Sequence, residues 1–404
     1  MIMNARKYCF AVPLCVAMAF AFAQYTPAQM PNDGFRKLLI EQTRFADSDL
    51  AALDRGEVVI KLLPVNENRE IGVFGIVHLR RTDDLSLTRF RNSLTQKHNK
   101  SIVAEGEFHT PPLATDIQLL RLGDGDLDDI RKCEIGDCDF KMSAAMLKRL
   151  QSGVNWTAPD ARDQANAVFR QALFEYVSEY STRGNDVLIQ LIDGKAPIRV
   201  ADEQRILLDE SLFIKEIAPE LVKYLANYPG VQLTGVENLL NWSTVKFGFK
   251  PTISVTHTTA YEHRNAASSQ YFVVNRQIYS SHYIDASVSI SMLLNVSADG
   301  GTNTYLIFTD LSRSDSLTGP LGGVKRKMIG GQASDRVKDL LKTARIRLEA
   351  GVADTQEPDT EENSGSILAI LFSMANTPTV LVLSIFVIGG LLVSIFWRVR
   401  RSKS

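Results

Sequence analysis

Between residues 252 and 311, apolar and polar side chains alternate with a period of two in run after run. Ile253, Val255, His257 and Tyr261 alternate with serine and threonine. After a polar turn, residues 271–279 are β-branched and aromatic. Ile284, Ala286, Val288, Ile290, Met292 and Leu294 then alternate with Asp285, Ser287, Ser289 and Ser291. A fourth run, 304–311, follows the turn Ala298-Asp299-Gly300-Gly301. Successive strand side chains point to opposite faces, so this pattern predicts an antiparallel meander with one buried face. Ser314-Asp315, Gly319-Pro320 and Gly322-Gly323 stop the sheet. Beyond them Val337, Leu340, Leu341, Ala344 and Leu348 fall at helical spacing and predict one long amphipathic helix.

The chain before the meander is mixed. Residues 35–53 read as one helix, and 57–63 with 69–80 as a β-hairpin. Asp83-Asp84 caps a helix running to about residue 98, and 101–108 returns as a strand. Residues 116–150 carry only one clear element, a helix at 143–151. Two helices follow, at 163–182 and 203–228. A lone hairpin does not make a stable sheet, so it is expected to pair with the meander. Residues 35–349 then form one α+β domain with a helical insertion at about 116–242.

Both ends read as lying outside that domain. Residues 1–23 have Arg6 and Lys7, an apolar run and Ala21-Phe22-Ala23, the pattern of a cleaved signal peptide, with an uncleaved anchor as the alternative. Residues 379–397 lack charges over nearly the length that spans a bilayer, and Arg398, Arg400, Arg401 and Lys403 follow at once. The expectation is a single-pass protein with its ectodomain in the periplasm or extracellular space. Its basic tail (398–404) would be cytoplasmic, and 350–378 an acidic tether and juxtamembrane segment. A net charge of −1 gives no electrostatic case for nucleic acid. Outside the cytoplasm, Cys133 and Cys138 are most simply a disulfide, because no histidine lies near enough to complete a zinc site.

The order of strand, short helices, meander and long last helix resembles the helix-grip fold of the START and Bet v 1-like (SRPBCC) superfamily. Gly75-Ile76-Val77-His78-Leu79 and Leu321-Gly322-Gly323-Val324-Lys325-Arg326-Lys327 sit where that resemblance is carried. A group of uncharacterised bacterial envelope proteins is resembled more closely. The match rests on Trp242-Ser243, Phe247-Gly248, Lys250-Pro251, Gln277-Ile278-Tyr279-Ser280-Ser281-His282-Tyr283 and Ser312-Arg313-Ser314-Asp315. Cys133-Glu134-Ile135-Gly136-Asp137-Cys138 looks like that group's paired-cysteine signature. The superfamily resemblance implies a curved sheet gripped by the last helix around a pocket for an apolar or lipid-like molecule. The ligand-binding set is then His257, Tyr261, Tyr279, His282, Arg313, Leu341 and Ala344, with Ile284, Ala286, Val288 and Ile290 facing the helix.

His257 and His282 each carry two readings, a hydrogen-bonded core histidine or a polar group inside a cavity. Arg313 with Asp315 is a clasp closing the strand end or a ligand anchor. Lys325, Arg326 and Lys327 form a basic patch, solvated or touching anionic lipid heads. No catalytic residues, cofactor or metal ligands are assigned, because no local catalytic motif or metal spacing is present. The function expected is a membrane-tethered extracytoplasmic binding protein for an apolar or lipid-like ligand. The alternatives are an envelope hydrolase using His257 or His282, and a scaffold that docks a protein partner through the helical insertion.

Overall fold

The computed structural model describes residues 32–350, apart from 81–84, 95–100, 248–249, 265–268 and 299–300. The expected signal peptide, the acidic segment beyond residue 350, the span at 379–397 and the basic tail lie outside these residues.

Two short helices, α1 (Asn32–Thr43) and α2 (Asp47–Asp54), precede the hairpin of β1 (Val59–Leu62) and β2 (Glu70–Leu79). Helix α3 (Leu87–Leu94) and strand β3 (Ile102–Glu107) follow. A helical region holds α4 (Asp124–Lys132), α5 (Ala144–Gly153) and α6 (Ala161–Arg183). A small ribbon of β4 (Gln190–Leu191) and β5 (Ile198–Arg199) leads into α7 (Val200–Glu210), α8 (Leu212–Ile217) and α9 (Pro219–Ala226). The meander is β6 (Val236–Phe247), β7 (Lys250–Arg264), β8 (Ser269–Ser280), β9 (Ala286–Ala298) and β10 (Gly301–Arg313), and α10 (Gly322–Glu349) ends the domain.

Eight strands form one antiparallel sheet in the order β1-β2-β10-β9-β8-β7-β6-β3. The first hairpin joins the meander through β2 and β10, paired from Leu79↔Thr304 to Glu70↔Arg313. Helices cover both faces. On one, α10 presents Ala333, Val337, Leu340, Leu341, Ala344 and Leu348 to Ile71, Val73, Val77, Leu306 and Phe308. On the other, α1, α2 and α7 to α9 pack over Phe74, Ile76, Ala286, Val288, Ile290, Met292 and Leu311. Helices α4 to α6 build a third cluster on the far end of β6 to β8, around Trp242, Ile253, Val255 and Tyr279.

Within the described residues, the sheet is therefore not gripped by one helix alone. What stands is an α+β domain with a large antiparallel sheet covered on both faces. Among the described residues no helix is long and apolar enough to cross a membrane. The longest, α10, carries Lys325, Arg326, Lys327, Asp335, Arg336, Lys338, Asp339, Lys342, Arg345, Arg347 and Glu349, charges that hydrocarbon excludes. Ala286, Val288 and Ile290 lie on the face away from α10, and only Ile284 joins its cluster. Period-two alternation separates two faces but does not say which helix each one meets.

Nor is the polar side of the meander exposed. Ser287, Ser289, Ser291, Asp310 and Ser312 are all buried. Ser312 Oγ donates to Asp310 Oδ2 at 2.9 Å and lies 3.0 Å from the Ser287 hydroxyl. Burial pushes the Asp310 carboxyl up to about 7, although bonds from Ser312 and Ser287 pull it back.

Strand β8 has an irregular register against β7 between its pairs with Val255 and Thr256, and its ladder with β9 ends at Arg276. The carbonyls just beyond are taken by helices. Gln204 Nε2 of α7 donates to Gln277 O at 2.7 Å, and Tyr176 Oη of α6 donates to Ile278 O at 2.8 Å. The predicted disulfide is present after α4, Cys133–Cys138, with Cα atoms 4.6 Å apart. It closes a turn in which Gly136 takes φ +90°, a conformation glycine adopts without penalty.

Candidate functional site

The ends of β2, β9 and β10 bring Arg69, Glu70, Asp285 and Arg313 together, and the helical layer adds Lys141, Asp193 and Glu203. Arg313 donates to Glu67 at 2.6 Å and Glu70 at 3.2 Å, and its Nε lies 2.6 Å from Glu203. Arg69 pairs with Asp285 at 2.9 Å, Asp315 at 3.1 Å and Glu203 at 3.3 Å. Lys141 bridges Asp285 at 2.7 Å and Asp193 at 2.5 Å. Three cations thus stand among six acids: Glu67, Glu70, Asp193, Glu203, Asp285 and Asp315. Burial pushes the Lys141 ammonium down, but Asp285 and Asp193 outweigh it and hold it above the usual lysine range. Burial raises the Glu203 carboxyl despite Arg69 and Arg313. Glu70 is raised furthest, to about 8, by burial and then by its hydrogen bond to Glu210, with Arg313 opposing. A carboxylic acid kept neutral beside a second carboxyl marks a candidate site on physical grounds.

Two cavities flank this network. One, of about 570 Å³, is lined by Arg69, Glu203 and Asp315 together with the β4–β5 turn and Arg199. The other, of about 330 Å³, lies between the sheet and the α7–α8 junction. Its apolar wall is Phe74, Ile290, Met292, Leu311, Phe213 and Ile214, and its polar lining includes Gln42, Glu70, Asp209, Glu210 and Thr309. The volume falls in the range of small-molecule pockets, which are mostly apolar with a few placed polar groups. Asn66 Nδ2 donates to Glu210 Oε1 at 2.8 Å, tying the hairpin loop to the end of α7. Gln42 Oε1 and Thr309 Oγ1 are buried and have no hydrogen-bond partner, a costly state for groups shut away from water, and Glu210 Oε2 is shared with the Glu70 carboxyl.

None of the seven residues expected to bind ligand lines either cavity. Leu341 and Ala344 sit fully buried in the α10 cluster. Tyr279 Oη donates to Lys141 O at 3.0 Å, holding the helical layer to the sheet. Tyr261 bonds to Glu220 of α9 and to His263, both at 3.3 Å. Arg313 is the clasp of the charged network, fully buried between the two cavities.

His257 is fully buried, and its Nδ1 receives Arg276 Nη2 at 2.9 Å beside Tyr180 Oη at 2.8 Å. Arginine only donates, so the ring proton is on Nε2, which donates to Asn238 Oδ1 at 2.9 Å. Burial, and then Arg276, push this imidazole well below the usual histidine range. His282 lies between Asp139 O at 2.9 Å and Asp126 Oδ1 at 2.8 Å, and is also buried. Each imidazole is bonded within packed protein, so the hydrolase alternative gains no support from an open cleft. The large exposed apolar residues include only Leu212 on α6 to α9, so those helices do not present the apolar face that a scaffold reading needs. Among the described residues no group of three His, Cys, Asp or Glu is placed to hold a metal.

No protein-family model matches the chain, and no curated protein matches it.

Proposed function

We propose that this protein binds a small molecule of largely apolar body in the cavity of about 330 Å³ between the sheet and the α7–α8 junction. The observation that carries the reading is the joint lining. A continuous aromatic and aliphatic wall meets carboxyl, amide and hydroxyl groups, among which the Gln42 and Thr309 oxygen atoms lack partners in the protein. Such a wall gives affinity by removing apolar surface from water, and the polar end fixes orientation. The expected apolar ligand is retained, but it sits on the face of the sheet opposite α10. The disulfide supports placing this binding outside the cytoplasm, where such bonds persist.

Native mass spectrometry of the gently purified protein is expected to show a small-molecule adduct that organic extraction removes. An environment-sensitive naphthalene dye is expected to bind the stripped protein and be displaced by the extract. Ile290→Phe, which adds volume to the cavity wall, is expected to lose both signals while its melting temperature stays close to the parent's. Dye and adduct unaffected by Ile290→Phe in a folded variant would sink this assignment.

A further inference from the structure

We propose that the ligand presents a protonated amine to the polar end of this cavity, held by Glu210, Thr309 and Gln42. The inference rests on the binding role just proposed and adds the charge and donor count of the ligand head. Its first support is the lining. Glu70, Asp209 and Glu210 are three carboxyl groups, and no Lys, Arg or His lines the space. Arg313, which reaches the lining acid Glu70, is already engaged by Glu67, Glu70 and Glu203.

The second support is independent of charge. Thr309 is only 6% exposed, and its hydroxyl finds no partner. Gln42 offers a bare carbonyl oxygen, and Glu210 offers a carboxylate oxygen that Asn66 does not take and that it shares with the Glu70 carboxyl. The Gln42 and Glu210 atoms only accept, and a hydroxyl accepts as well as donates, so the missing partner is a donor. An ammonium group brings three donors and a positive charge, and charge-assisted bonds are about twice as strong as neutral ones. A carboxylate ligand would meet acceptors and negative charge together. A neutral alcohol would supply one donor and no charge.

Glu70 is a reporter. It faces Glu210 on α7 and Arg313 on β10, with Asp209, Glu67 and Glu203 near on α7 and the hairpin loop. Held at about 8 by burial and Glu210, it is mainly protonated at pH 7. A cation arriving beside Glu210 favours its ionised form, so amine binding releases protons.

Calorimetric titration of the stripped full chain at pH 7 with n-hexylamine, 1-hexanol and hexanoate tests this. The amine is expected to bind at least about tenfold more tightly than the alcohol, with hexanoate weakest. Repeating it in buffers of different ionisation enthalpy is expected to show proton release with the amine only. Glu210→Gln should bring amine and alcohol to within about threefold, by lowering amine affinity alone. Should that variant fail to fold, Gln42→Leu at the end of α1 is expected to shift the ratio the same way. Equal binding of amine and alcohol, or an unchanged preference in the folded variant, overturns the amine assignment and leaves the binding role standing. Binding by none of the three, with no dye bound either, overturns both.

Discussion

The two faces of the sheet are closed by different means. Under α10 the backbone of β2 comes so close that a Cβ at Gly75 would lie 2.7 Å from Leu341 Cδ1 and from Val337 Cγ1. One long helix laid along β1, β2 and β10 has matched itself to a groove that glycine opens. The other face is covered by five shorter helices. At Ser211 the chain leaves helical geometry between α7 and α8, with ψ +59°, and the residues around this break line the cavity. Continuous elements fill the space above a sheet, whereas junctions between helix ends leave room.

The sharpest way to break this contrast is truncation on the tight face. Leu341→Ala is expected to cost about 2–5 kcal/mol in urea unfolding, the range for a filled core that cannot collapse. A loss of under about 1 kcal/mol would mean that α10 covers a void after all. Gly75→Ala tests the same seat from the strand side. Its methyl group has no room, so overpacking of about 1–3 kcal/mol is expected in the same measurement.

Each face also carries an acid that burial raises far above the usual range, Asp310 under α10 and Glu70 on the cavity side, and they predict a pH dependence. An acid whose pKa is higher folded than unfolded binds more protons in the native state over the intervening range. Stability therefore falls with rising pH across that range. For Asp310 the window runs from 3.8 to about 7, and for Glu70 from 4.5 to about 8. Asp310→Asn should flatten the first part of the decline, and Glu70→Gln should extend the flat region toward pH 8. Urea midpoints measured between pH 4 and 8.5 would show it, and a parent protein whose stability rises through that window contradicts both assignments. The smallest effect belongs to Thr309→Ala. Because its hydroxyl has no partner, its loss is expected within about 0.5 kcal/mol of neutral in a folded protein whose amine affinity drops.

Much of the architecture was legible because it rests on local periodicity. The meander strands, α6 and α10 fall where alternation and helical spacing put them, since both patterns are written over a dozen or more neighbouring residues. Long apolar spacing hid the breaks. Residues 203–228 read as one helix but are three, interrupted at Ser211 and at Pro219, which starts α9. Residues 35–53 read as one helix but turn at Arg44, whose φ is +56°. Strand β6 was missed because polar residues dilute its pattern. The candidate site was legible only at Arg313, a charge at a strand end. Gln42, Glu70, Glu210 and Thr309 come from a helix end, a strand start, another helix end and a strand interior. Only the β2–β10 register and the packing of α1 and α7 bring them together, and none stands out alone. Thr309 left one trace, a hydroxyl at an apolar position of its strand.

The register irregularity in β8 has a consequence for how the molecule comes apart. The Gln277 and Ile278 carbonyls are capped from α7 and α6. Peeling either helix away would orphan a buried acceptor, at about 1–3 kcal/mol for each. Partial opening of the helical layer is thereby penalised at the sheet itself, and the two behave as one cooperative unit. Amide hydrogens of α6 and of β8 should then exchange with a common free energy under mild denaturant, so that a molecule loosened in one is loosened in both.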